Sequence, residues 1–189
     1  LISLAEQGKN VVASRHMFGN TYSLLTKTLP RFGVTTHLCD LTNLDEVRRA
    51  VDADTCCIFL EIITNPQLEV ADLTALAEIA HAHNIPLVAD TTAIPFTEFC
   101  AHELGVDIEV VSTTKYLSGG ATSLGGMVID YGGLPEFARR LHDEMLFNLG
   151  AYMTPHVAYM QPLGLEILRA RAGLPVSNTV YLVHGWRPK

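Results

Sequence analysis

The sequence predicts an α/β fold, a mostly parallel sheet held between helices, and two observations carry that prediction. Short β-rich runs alternate along the chain with segments of helical period. The helical segments are amphipathic, and a parallel sheet needs such cover on both faces. In order, the strand-like runs are Asn10 to Ser14, Val34 to Cys39, Cys56 to Leu60, Pro86 to Ala89 and Ile108 to Val111. Between the third and fourth lies the clearest helix, with Leu73, Leu76, Ala77, Ile79 and Ala80 at helical spacing behind Asp72 as N-cap. A further strand, Gly126 to Asp130, follows a glycine-rich stretch. After it, Pro135 to Phe147 and His156 to Ala170 read as helices, and Gly173, Leu174 and Pro175 end the pattern.

Composition removes several classes of function. With 189 residues, 48% hydrophobic and 17% charged, the chain can bury one large core and begin a second unit. Its net charge is -7 and its 13 Lys and Arg are scattered singly, so nucleic acid is not expected as a partner. No apolar run approaches the roughly 20 residues of a membrane helix, so no membrane partner is expected either. The four cysteines form no C-x-x-C and read as core thiols of a reducing, cytoplasmic compartment. His81 and His83 are two apart, on different faces of a helix, and no H-E-x-x-H occurs, so no metal is expected. Leu1 opens the chain in mid-pattern without a methionine, which reads as a fragment.

In open α/β sheets ligands bind beyond the carboxyl ends of the strands. Three segments fall there: Glu61 to Pro66, Asp90 to Thr92, and Ser112 to Gly126. Asp90 follows four apolar residues, where a carboxylate is costly unless a cationic group meets it; an N-cap or a salt bridge is the plainer alternative. Lys115 sits among hydroxyls in Ser112-Thr-Thr-Lys-Tyr, and burial there would depress its amine into nucleophilic range; a surface lysine is the plainer alternative. Ser112, Thr113 and Thr114 supply hydroxyls and amides for an anion, beside glycines that let the main chain turn tightly. There is no Walker A loop, no G-x-G-x-x-G and no G-x-S-x-G elbow, which weakens nucleotide-binding and hydrolase readings.

These residues resemble the fold-type I pyridoxal phosphate (PLP) enzymes of cysteine and methionine metabolism. The resemblance runs from about Val11 to about Gly164, through Ser14-Arg-His-Met-Phe-Gly-Asn-Thr-Tyr, Leu60-Glu-Ile-Ile-Thr-Asn-Pro, Val88-Ala-Asp-Thr-Thr and Ser112-Thr-Thr-Lys-Tyr. The glycine-rich continuation to Gly126 is most similar to the O-acetylhomoserine sulfhydrylase branch. The resemblance implies an aspartate aminotransferase-like large domain over residues 1–150, lacking its N-terminal part, with 151–189 as a linker helix and the start of an incomplete C-terminal domain. It implies that Lys115 carries the cofactor covalently and moves protons at the substrate's Cα and Cβ, and that Asp90 keeps the ring nitrogen protonated. Ser112 and Thr114 fall where hydroxyls contact the phosphate, Asn65 where an amide reaches the phenolic oxygen, and Thr92 and Phe18 beside the ring. Asn65 before Pro66 is otherwise an ordinary turn pair, and Thr92 otherwise a helix cap.

Two departures stand out. Phe18 occupies a position where the family usually has tyrosine; it keeps the ring stack, worth about 0.5–1.5 kcal/mol, but cannot hand a proton to a leaving group. That fits an ester such as O-acetylhomoserine, whose acetate leaves readily. Thr91 replaces an asparagine common beside Asp90. The implied reaction is γ-replacement on O-acetylhomoserine by sulfide or a thiol, giving homocysteine or methionine, in a homo-oligomer built as a dimer of dimers. The alternatives are a cystathionine γ-synthase or a methionine or cystathionine γ-lyase, a truncated non-catalytic paralogue, and a bare nucleotide-binding module. The family's phosphate-binding turn and its substrate-carboxylate arginine have no match here, Arg169, Arg171 and Arg187 included, so the fragment alone is expected to be inactive.

Overall fold

The computed structural model describes residues 1–185. Six strands form one sheet in the order β2-β1-β3-β4-β5-β6. They are β1 (Asn10–Ser14), β2 (Thr35–Cys39), β3 (Thr55–Glu61), β4 (Leu87–Asp90), β5 (Ile108–Val111) and β6 (Met127–Asp130). The first five are parallel and β6 is antiparallel to β5. The chain moves outward from β1 to β2, then returns to the other side of β1 for β3, a reversal that leaves a crevice beyond the carboxyl ends of the strands.

Alternation along the central strands divides the core into two layers. Val12, Ile58, Leu60, Leu87 and Ala89 face one side, where they pack with Leu76, Ala77, Ile79 and Ala80. Val11, Ala13, Cys57, Phe59, Val88 and Ile108 face the other, with Leu25, Leu29 and Phe137. Burial on both faces explains why these strands read as unbroken apolar runs. The first layer is covered by α3 (Leu73–Ala82), whose N-cap Asp72 accepts the Ala75 amide at 3.1 Å, as its sequence predicts.

The remaining helices are α1 (Gly19–Ser23), α2 (Leu44–Ala50), α4 (Phe137–Arg140), α5 (Pro155–Glu166) and α6 (Leu168–Gly185). Wider π-type turns extend α1 to Thr28 and α4 to Asn148. The expected stop at Gly173-Leu174-Pro175 is not observed: α6 runs through it, with Pro175 inside. The expected single helix from His156 to Ala170 is two, parted at Ile167. Of the cysteines expected in the core, Cys39 and Cys57 are buried and Cys56 is half-buried, but Cys100 is exposed because it caps a short surface turn. Arg187 lies outside the described residues. Among the described residues no helix is long and apolar enough to cross a membrane.

Candidate active site

Beyond the carboxyl ends of β3, β4 and β5 opens a cleft of about 650 Å³. Phe18, Asn65, Asp90, Thr92, Ser112, Thr114 and Lys115, all seven residues singled out from the sequence, line it. They come from four segments, each launched by a different strand, which is why no single stretch of sequence looks like a binding motif.

Asp90 ends β4, half-buried, and its Oδ1 accepts the Thr92 amide at 2.9 Å. None of the ion pairs among the described residues involves Asp90, so its carboxyl remains available to a cationic ligand. No helix starts at Thr92; its Oγ1 instead accepts the Ser112 amide at 2.7 Å and ties the Asp90 turn to the end of β5. Thr114 is tied in turn to the opposite arm of the loop: its Oγ1 accepts the Gly125 amide at 3.0 Å and donates to the Gly125 carbonyl at 3.3 Å. A Cβ at Gly125 would stand 2.5 Å from Thr113 Oγ1 and 2.7 Å from Met153 Cε, so a side chain at this crossing would force those side chains to shift.

Lys115 corrects one expectation. Its amine is exposed in the cleft rather than buried among apolar neighbours, because residues 112–119 lift off the sheet in consecutive turns, held by Lys115 N–H to Ser112 O at 3.2 Å and Ser118 N–H to Thr113 O at 2.9 Å. Phe18 is also exposed, at 49%, with its ring on the cleft wall.

The residue that sequence reasoning missed is Glu61. It is 7% exposed at the end of β3, in register with Asp90 on β4. Its Oε1 accepts the Phe18 amide at 2.6 Å and its Oε2 the Asn65 amide at 2.9 Å. One carboxyl thus fastens two walls of the cleft. Burial pushes its proton affinity above the ordinary carboxyl range, the two amide donors pull it back, and the Asp90 charge adds to the rise. A raised value in the folded state means that Glu61 stabilises the protein most below its ordinary pKa, and this contribution fades as pH climbs through the raised one. Glu61→Gln replaces one acceptor by a donor facing a backbone N–H. It should lower unfolding free energy by about 2 kcal/mol near neutral pH and remove that slope, both read from urea denaturation across pH.

The sequence and the fold both have known relatives. The sequence model of the family described as Cys/Met metabolism PLP-dependent enzymes matches residues 1–184, well past Gly164 and through the tail from Arg171, which sequence patterns alone did not connect to the family. Among curated relatives, sulfhydrylase FUB7 of Fusarium oxysporum is 34% identical over 95% of this chain and 48% of its own length. L-methionine gamma-lyase of Fusobacterium nucleatum is also 34% identical, over 90% of this chain and 43% of its own. Among solved structures, the O-acetylhomoserine sulfhydrylase of Wolinella succinogenes superposes with a TM-score of 0.81 at 43% identity, covering 90% of this chain and 54% of that one. The chain spans about half the length of the curated relatives it matches. It belongs to the Cys/Met metabolism PLP-dependent enzyme family, whose cofactor is pyridoxal phosphate.

Proposed function

We propose that the protein carrying this chain catalyses γ-replacement on O-acetylhomoserine, with sulfide or a thiol as the incoming group and homocysteine or methionine as product. The observation that carries the site assignment is that a primary amine, Lys115, and the Asp90 carboxyl line a single cleft at the ends of neighbouring strands, where both oxygens of the other carboxyl, Glu61, are taken by main-chain amides. The donor set fits the cofactor: an amine for its aldehyde, a carboxyl for its ring nitrogen, and the Ser112 hydroxyl for its phosphate, which the Thr114 hydroxyl would join on releasing the Gly125 carbonyl. When bound, pyridoxal phosphate supplies an electron sink that stabilises negative charge at the substrate's α-carbon.

This chain's residues do the rest. With the cofactor bound, the Asp90 carboxyl would keep a proton on the ring nitrogen, the Asn65 amide would serve the phenolic oxygen, and the Phe18 and Thr92 side chains would lie beside the ring. The Lys115 amine would take the proton from the substrate's Cα and then one from Cβ. The cleft lining offers this amine as its one cationic side chain. Ionic partners for the substrate's α-carboxylate therefore have to come from chain outside this cleft.

Replacement is preferred over elimination because of Phe18. It presents an aromatic face with no acidic hydrogen, so the leaving group receives no proton from that position, and acetate is a group that leaves without one. The decisive assay offers the purified full-length protein O-acetylhomoserine with sulfide and, separately, methionine and cystathionine. Homocysteine formation from the ester supports the reading. Release of ammonia and a 2-oxo acid from the sulfur amino acids, with no use of the ester, overturns it in favour of a γ-lyase.

A further inference from the structure

Glu109 lies in the middle of β5, only 2% exposed and in register with Ala89, the residue before Asp90. A carboxyl at such a position forfeits its hydration, and cores normally place apolar residues there. None of the ion pairs among the described residues includes it. Its oxygens are met by hydroxyls: Thr91 Oγ1 donates to Oε1 at 2.5 Å, and the Tyr131 hydroxyl donates to Oε2 at 2.7 Å. Burial, reinforced by the hydrogen bond to Glu109 and its charge, pushes the Tyr131 hydroxyl far above the ordinary phenol range, so Tyr131 stays a donor. His102 stacks on the Tyr131 ring at 4.4 Å and closes the far end of the network.

The near end of this network is the Asp90 turn. Thr91 is 1% exposed, its amide donates to the Val110 carbonyl at 3.0 Å, and its side chain is bound to Glu109. The next residue, Thr92, donates its amide to Asp90 Oδ1 and accepts the Ser112 amide through its hydroxyl. Both residues that follow Asp90 are therefore pinned to β5 or its continuation, one through its main chain and side chain together.

We propose that Glu109 is a positioning residue which, through Thr91, fixes the angle at which the Asp90 carboxyl meets the ring nitrogen of bound pyridoxal phosphate. This rests on the reading of Asp90 given above. A buried, fully satisfied hydrogen-bond network of this kind specifies one geometry, which is what a carboxyl aimed at a single ring atom requires.

The test uses the full-length protein and four variants. Thr91→Val removes the donor at nearly constant volume, Thr91→Ser restores it, Glu109→Gln alters the acceptor, and Asp90→Asn reports the ring contact itself. Spectrophotometric titration with pyridoxal phosphate gives affinity and the pH midpoint of the bound cofactor's visible band; thermal melts give stability. Asp90→Asn should weaken affinity by about 30-fold and move the midpoint, the loss of one charge-assisted contact. Thr91→Val should weaken it by about tenfold and move the midpoint in the same direction, with Thr91→Ser returning both toward the native values. If Asp90→Asn has its effect while Thr91→Val and Glu109→Gln only lower the melting temperature, the network is structural and the inference fails. If Asp90→Asn moves neither readout, the reading of Asp90 falls and takes this one with it. The threonine pair keeps the test decisive should Glu109→Gln not fold.

Discussion

Lys115→Ala in the full-length protein should abolish the cofactor adduct that borohydride makes permanent and lower turnover by at least about 10³-fold, since it removes both the covalent partner and the proton-transfer base. The sequence contains four lysines, at 9, 27, 115 and 189. Lys9 is paired with Asp54 at 3.1 Å beside the amino ends of the strands, and Lys27 lies in the π-type turn that extends α1. Lys189 lies outside the described residues. Lys115 alone among the described lysines lines the cleft. Absorbance near the visible band, borohydride reduction and peptide mapping check the first part; steady-state kinetics check the second. Recovery of the cofactor on Lys9 or Lys27 would refute the assignment. Lys115→Arg, which keeps the charge but offers no primary amine, should be as inactive as the alanine variant.

Gly164→Ala should lower stability by about 3 kcal/mol, a fall of roughly 10 °C in melting temperature for a chain of this size, although alanine ordinarily favours a helix. Gly164 is buried in α5, where a Cβ would stand 1.8 Å from the Leu117 carbonyl oxygen, 2.7 Å from Ser118 C and 2.9 Å from Gly119 N. All three are main-chain atoms of the turns that carry Lys115, so no side-chain rotation relieves the clash. Either α5 backs away or the turns move, and the second outcome would also weaken cofactor binding. Arg171 binds the same junction, donating from Nη2 to Tyr116 O at 3.0 Å and Gly164 O at 3.1 Å. Gly173→Ala in α6, where a Cβ meets nothing within 4 Å, is the control and should be neutral or slightly stabilising. Equal losses from the two substitutions would show that the contact is not the cause.

How much of this could be read beforehand differed by element, for physical reasons. The central strands β1, β3 and β4 were legible to within a residue or two because they are covered on both faces and mostly apolar, whereas the edge strand β2, Thr35–Cys39, was legible from its β-branched residues. Asp72 was legible as a cap because capping is decided by four consecutive residues. The break at Ile167 and the passage of α6 through Pro175 were not, since proline and glycine set only local preferences that packing overrides. Glu61 was hidden because it looks like the polar end of a strand; what makes it part of the site is an amide 43 residues earlier. Glu109 was hidden inside a strand that its apolar neighbours defined. The exposure of Lys115 was not legible either, because its hydroxyl-rich segment follows the buried strand β5, while the turns the segment forms are not packed around the lysine.

The strand order carries one more consequence. The cleft needs the ends of β1, β3, β4 and β5 together, and those strands are joined in space by parallel pairings between residues far apart in the chain. Such pairings form slowly, since every closure costs chain entropy before any contact is gained. Recovery of cofactor colour after dilution from denaturant therefore follows the last strand to dock rather than the first collapse of the chain, and the ligand becomes a clock for completion of the sheet.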